Sequence, residues 1–186
     1  MPDTSLAAKL SDILTRYQKS FVQKSYKDEN EDHDVLMDVF GLTPKIKREN
    51  RQYWGRELGK CWELIVACVF EELREDFGPP FRVGNDEPCD FTFGTFAVDT
   101  KYRIGSGDSG TLKKFRSYGH LLRDQGYEPI FLILREDNLP AAVTACRAGT
   151  WNILTDGASF DFIRSHTDFD LHIFLSQIAG DFQVDR

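Results

Sequence analysis

The stretch Asp90-Phe-Thr-Phe-Gly-Thr-Phe-Ala-Val-Asp-Thr-Lys101 decides the fold. Apolar and polar residues alternate on both sides of Gly94-Thr95, and glycine at the first central position suits a two-residue type II′ hairpin turn. Phe93 then faces Phe96, and counting outward sets Asp90 directly across from Asp99. Opposed residues on one face of a sheet hold their Cβ atoms roughly 4.5–5.5 Å apart. Side chains alternate along a strand, so Lys101 shares the face of Asp99, two residues along.

Two carboxylates at that distance repel, which raises a pKa or demands a cation between them. Mg²⁺, held by one or two carboxylates plus water and phosphate oxygens, meets the demand. Lys101 then stands where a nucleophilic water or a developing phosphate charge needs a cationic donor. That constellation is nuclease-like. The plain alternative is an exposed hairpin with an ordinary Asp-Lys surface pair, because D-x-K is common by chance.

Upstream, the longest helical pattern runs from about Glu49 to Asp76 through Trp54, Leu58, Trp62, Ile65, Val66, Val69 and Leu73, and Gly78-Pro79-Pro80 breaks it. Glu63 lies within it, flanked at helical spacing by small Gly59 and Ala67, which would let another element approach. A half-buried carboxylate there needs a charge or a metal as partner, so Glu63 is a candidate third acidic ligand. A Lys60–Glu63 surface pair explains it as well. Phe81 to Val83 reads as a short strand leading into the carboxylate-rich loop Gly84–Cys89, where Asp86 or Glu87 competes with Asp90 as ligand.

Downstream, Gly105-Ser-Gly-Asp-Ser-Gly110 lacks the Lys-Ser/Thr that closes a phosphate-binding P-loop. Helical spacing resumes from Thr111 to Arg123 and Gly126 closes it. Pro129-Ile-Phe-Leu-Ile-Leu134 is a continuous apolar run, as in a strand covered on both sides. Pro140 begins a helix to about Arg147, Trp151–Leu154 reads as another strand, and a β-α-β crossover joins them. Thr155 or Asp156 caps a further helix to about Arg164, and Asp168 or Asp170 begins a last one.

At the other end, Leu6, Leu10, Ile13, Leu14, Tyr17 and Phe21 predict an amphipathic helix from Thr4 to about Lys24, followed by a polar break over 26–34. A short helix from Asp34 to Phe40 stops at Gly41, and Pro44 ends any continuation. The reading divides the chain into an N-terminal helical region over 1–44 and a second region over 45–186.

The 186 residues, 41% hydrophobic and 28% charged, suffice for one domain with a sizeable core. No apolar run has membrane-span length, and Met-Pro-Asp-Thr lacks the order of a signal peptide, so no membrane association and a cytoplasmic location are expected. Cys61, Cys68, Cys89 and Cys146 form no C-x-x-C pair and are expected as buried free thiols. His33, His120, His166 and His172 lack zinc-helix spacing, which argues against zinc hydrolases.

A net charge of −7 argues against indiscriminate nucleic-acid binding. Yet residues 44–60 hold six basic against two acidic side chains, and residues 100–116 five against one. These segments either make a phosphate-facing surface on an acidic body or are solvated helix faces.

The order of a long helix bearing Glu63, a hairpin bearing Asp90 and Asp99-Thr-Lys101, a helix, a buried strand, a helix and a strand resembles the PD-(D/E)xK nuclease superfamily. The resemblance covers about Glu49 to Leu154 and departs at Cys89, where the superfamily usually carries proline; Pro88 lies one step earlier. Lys101–Phe115 and Asp137-Asn-Leu-Pro-Ala-Ala142 resemble the ApaLI-like type II restriction endonucleases. The resemblance implies an α/β restriction-endonuclease-like fold, a mixed β-sheet flanked by helices, here with an N-terminal helical extension. It implies Asp90 and Asp99 as Mg²⁺ ligands, Lys101 orienting or activating water, and Glu63 as an outer or second-metal carboxylate. The implied reaction is hydrolysis of duplex DNA at a specific sequence by a homodimer, with Arg103, Lys113, Lys114 and Arg116 as phosphate or base contacts. A structure- or damage-specific nuclease of the same fold and a non-cleaving DNA-binding subunit are the alternatives, and a calcium-binding role for Asp86, Glu87 and Asp90 is more distant because EF-hand ligand order is lacking.

Overall fold

A computed structural model describes Thr15, residues 33–105 and residues 107–184. The expected helix over 4–24 and most of the polar break after it lie outside the described residues. Those residues form seven helices and five strands: α1 (Val35–Val39), α2 (Pro44–Glu49), α3 (Arg51–Leu73), β1 (Phe77–Gly78), β2 (Phe91–Phe93), β3 (Phe96–Lys101), α4 (Ser109–Asp124), β4 (Glu128–Ile133), α5 (Pro140–Ala148), β5 (Asn152–Thr155), α6 (Gly157–Thr167) and α7 (Leu171–Gln177). The class is mixed α/β, with one five-stranded sheet in the order β1-β2-β3-β4-β5.

The hairpin forms in the expected register, with Phe93 opposite Phe96 and Phe91 opposite Val98. Gly94 takes φ +49° while Thr95 keeps a negative φ, the pattern of a type II′ turn. β1 and β2 pair antiparallel, whereas β3, β4 and β5 run parallel through the two crossovers that carry α4 and α5. β4 lies between β3 and β5, and Pro129-Ile-Phe-Leu-Ile133 is buried throughout, as a strand covered on both faces must be.

Alternation along β3 separates two cores. Val98 joins Phe91, Phe93, Ile130 and Leu132 under α3, whose Trp54, Leu58, Trp62, Val66 and Phe70 recur every four residues. Ala97 joins Phe131 and Ile133 on the other face, under Leu122 of α4 and Ala142 and Cys146 of α5. There the helices meet backbone to backbone: a Cβ on Gly119 would stand 1.8 Å from the Gly149 carbonyl oxygen. Leu36, Met37, Val39 and Leu42, assigned from sequence to the N-terminal region, bury their side chains in the α3 core. The C-terminal segment returns over α1, with the Gly180 amide donating to Asp38 and that of Val184 to Phe40.

Several local expectations are corrected. Pro44 starts a helix instead of ending one, because it fills the first position of α2, whose orphan amides tolerate a missing N–H, behind a Thr43 cap. The long helix begins at Arg51 because the Asn50 side chain accepts from the Tyr53 amide and caps it. Phe81–Val83 is loop apart from one bridge between Val83 and Asp86; the strand at this edge is Phe77–Gly78. Asp156 occupies the N-cap of α6 without a side-chain bond, whereas Asp170 caps α7 through the Ile173 amide. All four cysteines are free, but Cys68 is exposed and Cys61 half-buried.

Candidate active site

β3 places Asp99 and Lys101 on the α4 side of the sheet, at its edge where β2 has ended. The two side chains form an ion pair, Lys101 Nζ to Asp99 Oδ1, and Nζ also donates to the Thr100 carbonyl at 3.1 Å. The Asp99 side chain is 12% exposed and that of Lys101 32%. Burial pushes the Asp99 carboxyl up to about 7 against the pull of Lys101, and Asp90 and Glu63 add to the rise. Burial alone would lower the Lys101 pKa, but Asp99 and then Asp90 outweigh it and hold the ammonium above its ordinary value. Lys101 is therefore a persistent cation and a donor, not a base.

Asp90 does not form the expected ladder pair with Asp99. The register stops at Phe91–Val98, and the Asp90 amide donates to the Val98 carbonyl at 2.8 Å, a bond that a regular antiparallel ladder lacks. Its carboxylate takes the place of the vanished strand: Oδ2 accepts from the Thr100 amide at 2.6 Å and the Thr100 hydroxyl at 2.7 Å. Oδ1 has no hydrogen-bond partner among the described residues. Asp90 is thus fixed in orientation with one oxygen to spare, close enough for its charge to be felt at Asp99, Lys101 and Lys60.

Glu63 projects from α3 with Oε1 accepting from Lys60 at 2.5 Å, the i,i+3 pair read from the sequence as its alternative role. Its charge still reaches Asp99 and Lys101. Among the described residues no three His, Cys, Asp or Glu side chains form a ready metal cage. Mg²⁺ needs no such cage, since it keeps several waters and binds through one or two carboxylates. The free oxygen of Asp90 and the recessed, mutually repelled Asp99 fit that requirement, with Glu63 outside it.

Asp99 and Lys101 line a cleft of about 380 Å³ between α4 and the Asn85–Glu87 loop. Lys114 and Tyr118, one turn apart on α4, form one wall, and Asp86 and Glu87 the other. The loop is held on both sides: Glu87 accepts from Arg82 at 2.6 Å, and Asp86 lies 3.7 Å from Lys114 Nζ. Asp86 and Glu87 are thus engaged by cations of their own.

The four basic residues singled out by resemblance separate. Lys114 faces the cleft, and Lys113 and Arg116 are exposed on α4. Arg103 is engaged within the chain, its Nε donating to the Asp137 carbonyl at 2.9 Å and to the Asp137 carboxylate at 3.1 Å. It joins a buried network that sequence reasoning missed. Arg135 donates to Asp137 at 2.8 Å and to Asp34 at 2.9 Å, while Asp34 also accepts from Tyr102, the residue after Lys101. The partners lie up to 101 positions apart, so no local pattern signals them.

The chain matches no protein-family model, no curated protein and no solved structure. No helix among the described residues is long and apolar enough to cross a membrane.

Proposed function

We propose that this chain is a Mg²⁺-dependent endodeoxyribonuclease with a restriction-endonuclease-like, PD-(D/E)xK architecture. The observation that carries the reading is the recessed pair Asp99–Lys101 at the floor of an open cleft, with Asp90 and Glu63 adding negative charge from two other elements. The succession of α3, the β1-β2-β3 meander, α4 and β4 supports it, with Glu63 on α3, Asp90 just ahead of β2, and Asp99 and Lys101 on β3.

In this reading Asp90 Oδ1 and Asp99 would hold the ion, and Glu63 would add negative charge from α3. A bound Mg²⁺ supplies polarisation of the phosphate and acidification of a water molecule. Lys101, kept protonated by its acidic neighbours, stabilises the charge that builds on the phosphate oxygens as water attacks. The new bond joins the water oxygen to phosphorus, the P–O3′ bond breaks, and the products carry 5′-phosphate and 3′-hydroxyl ends. Cutting both strands at one specific site would require two copies of the chain, so a homodimer accompanies the restriction-type form of the proposal.

Supercoiled plasmid tests the function. Wild type nicks or linearises it with Mg²⁺ and not with a chelator, and Asp99→Asn and Lys101→Met do neither. Discrete cleavage that persists in Asp99→Asn would remove the proposed role of Asp99.

A further inference from the structure

The cleft over Asp99 and Lys101 has a shape and a lining that bear on the form of the substrate. Its volume of about 380 Å³ falls in the range of small-molecule sites and is comparable with one nucleotide. The Asp99 carboxyl lies at the bottom, between α4 and a loop pinned by two ion pairs. The aromatic ring of Tyr118 lines the wall with the Lys114 ammonium 5.9 Å from its centroid and Asp86 as a hydrogen-bond partner of its hydroxyl, so an incoming base takes the place of Lys114 on the ring.

Duplex DNA presents one charge per roughly 1.7 Å of axis and is gripped by many unengaged cations. Here Lys60, Arg82, Arg103 and Lys114 are each occupied by a carboxylate of this chain. The cleft itself sets Asp86, Glu87 and Asp99 against Lys101 and Lys114. Single-stranded nucleic acid depends instead on aromatic platforms for its bases. A base can reach Tyr118 only after leaving the helical stack.

We propose that this cleft receives one unstacked nucleotide adjacent to the scissile phosphate, its base against Tyr118 and its phosphate exchanging with Asp86 for Lys114. The inference rests on the nuclease reading for the meaning of "scissile", but not for binding. The nucleotide comes either from a substrate already unpaired there or from a duplex that the protein opens.

The test uses the full chain and four labelled oligonucleotides: a paired duplex, the same duplex with a one-nucleotide bulge, its single strand, and the duplex carrying 2-aminopurine. Affinity is read by fluorescence anisotropy in Ca²⁺ and cleavage in Mg²⁺. Tighter binding of bulged or single-stranded DNA than of paired DNA assigns the first source. Equal binding with brightening of 2-aminopurine assigns the second. Tyr118→Leu then weakens binding about tenfold, the loss expected of one stacked base, and Tyr118→Phe restores it. Equal binding of all forms without brightening, or an unchanged affinity in a folded Tyr118→Leu, overturns the proposal. Preference for the unpaired nucleotide without any cleavage would sink the nuclease reading and leave the cleft's ligand as inferred.

Discussion

Asp99→Asn should make the metal-free protein more stable at alkaline pH, not less. Burial, with Asp90 and Glu63 adding to it and Lys101 opposing, holds the carboxyl at about 7 against its ordinary 3.8. Each tenfold change in proton affinity is worth about 1.4 kcal/mol, so the ionised carboxyl costs folding about 4 kcal/mol above pH 7. Asparagine recovers less than this, about 2 kcal/mol, because Lys101 loses its partner and the cleft floor relaxes. In a chain of this size that gain corresponds to roughly 4–8 °C in Tm. The unfolded carboxyl releases its proton near 3.8 whereas the folded one keeps it to about 7, so wild-type stability falls as pH rises through that window. Urea unfolding of both proteins in chelator, from about pH 4 to about pH 8, reads the difference directly. The mutant is less stable than wild type by about 2 kcal/mol at the acid end, where the wild-type carboxyl is neutral, and more stable by about 2 kcal/mol at the alkaline end. A difference independent of pH, or a mutant less stable above pH 7, would refute the claim that Asp99 is a strained, desolvated acid.

Other predictions follow from the packing and from the placement of the cations. Gly119→Ala drives a methyl into the Gly149 carbonyl and costs about 1–3 kcal/mol or more, read as a lowered urea midpoint. Trp62→Ala empties a fully buried site and removes the bond its indole N–H donates to the Leu132 carbonyl at 3.0 Å, so a loss of about 3–5 kcal/mol is expected by thermal melting. Arg103→Ala lowers stability and leaves DNA affinity unchanged, because its guanidinium is held by Asp137. Arg116→Ala does the reverse, weakening DNA binding and flattening its salt dependence by about one phosphate contact.

The elements whose signal is local were readable in the sequence. The hairpin came from strict alternation around a glycine, and the buried strand from its unbroken apolar run. Asn50 misled because the helical period runs straight through it, and only its side chain's bond to the Tyr53 amide shows that one helix ends and another starts. Pro44 misled because proline breaks a helix interior and opens a helix equally well. β1 is two residues long and has no pattern of its own; its existence depends on the partner Phe93.

For the site, the sequence placed Asp99 and Lys101 on one strand face, and the ion pair between them follows from that spacing. It did not show that β2 stops short, so that Asp90 turns its carboxylate to the Thr100 amide instead of standing opposite Asp99. Nor could it show which cations are spoken for. Arg103 and Lys114 look alike as basic residues near the hairpin, yet one is bound by a partner 34 positions away and the other borders the cleft. Depth is likewise a tertiary property, and the recessed position of Asp99 arises from α4 and the 85–87 loop closing over it.

The central claim is that Asp90 and Asp99 together hold a divalent ion at the cleft floor. Equilibrium binding of Mn²⁺ by electron paramagnetic resonance, in the presence of an uncleavable phosphorothioate oligonucleotide, tests it most directly. Wild type and Glu63→Gln should bind Mn²⁺, and Asp90→Asn and Asp99→Asn should not. Mn²⁺ bound equally by all four proteins, or lost only with Glu63, would contradict it.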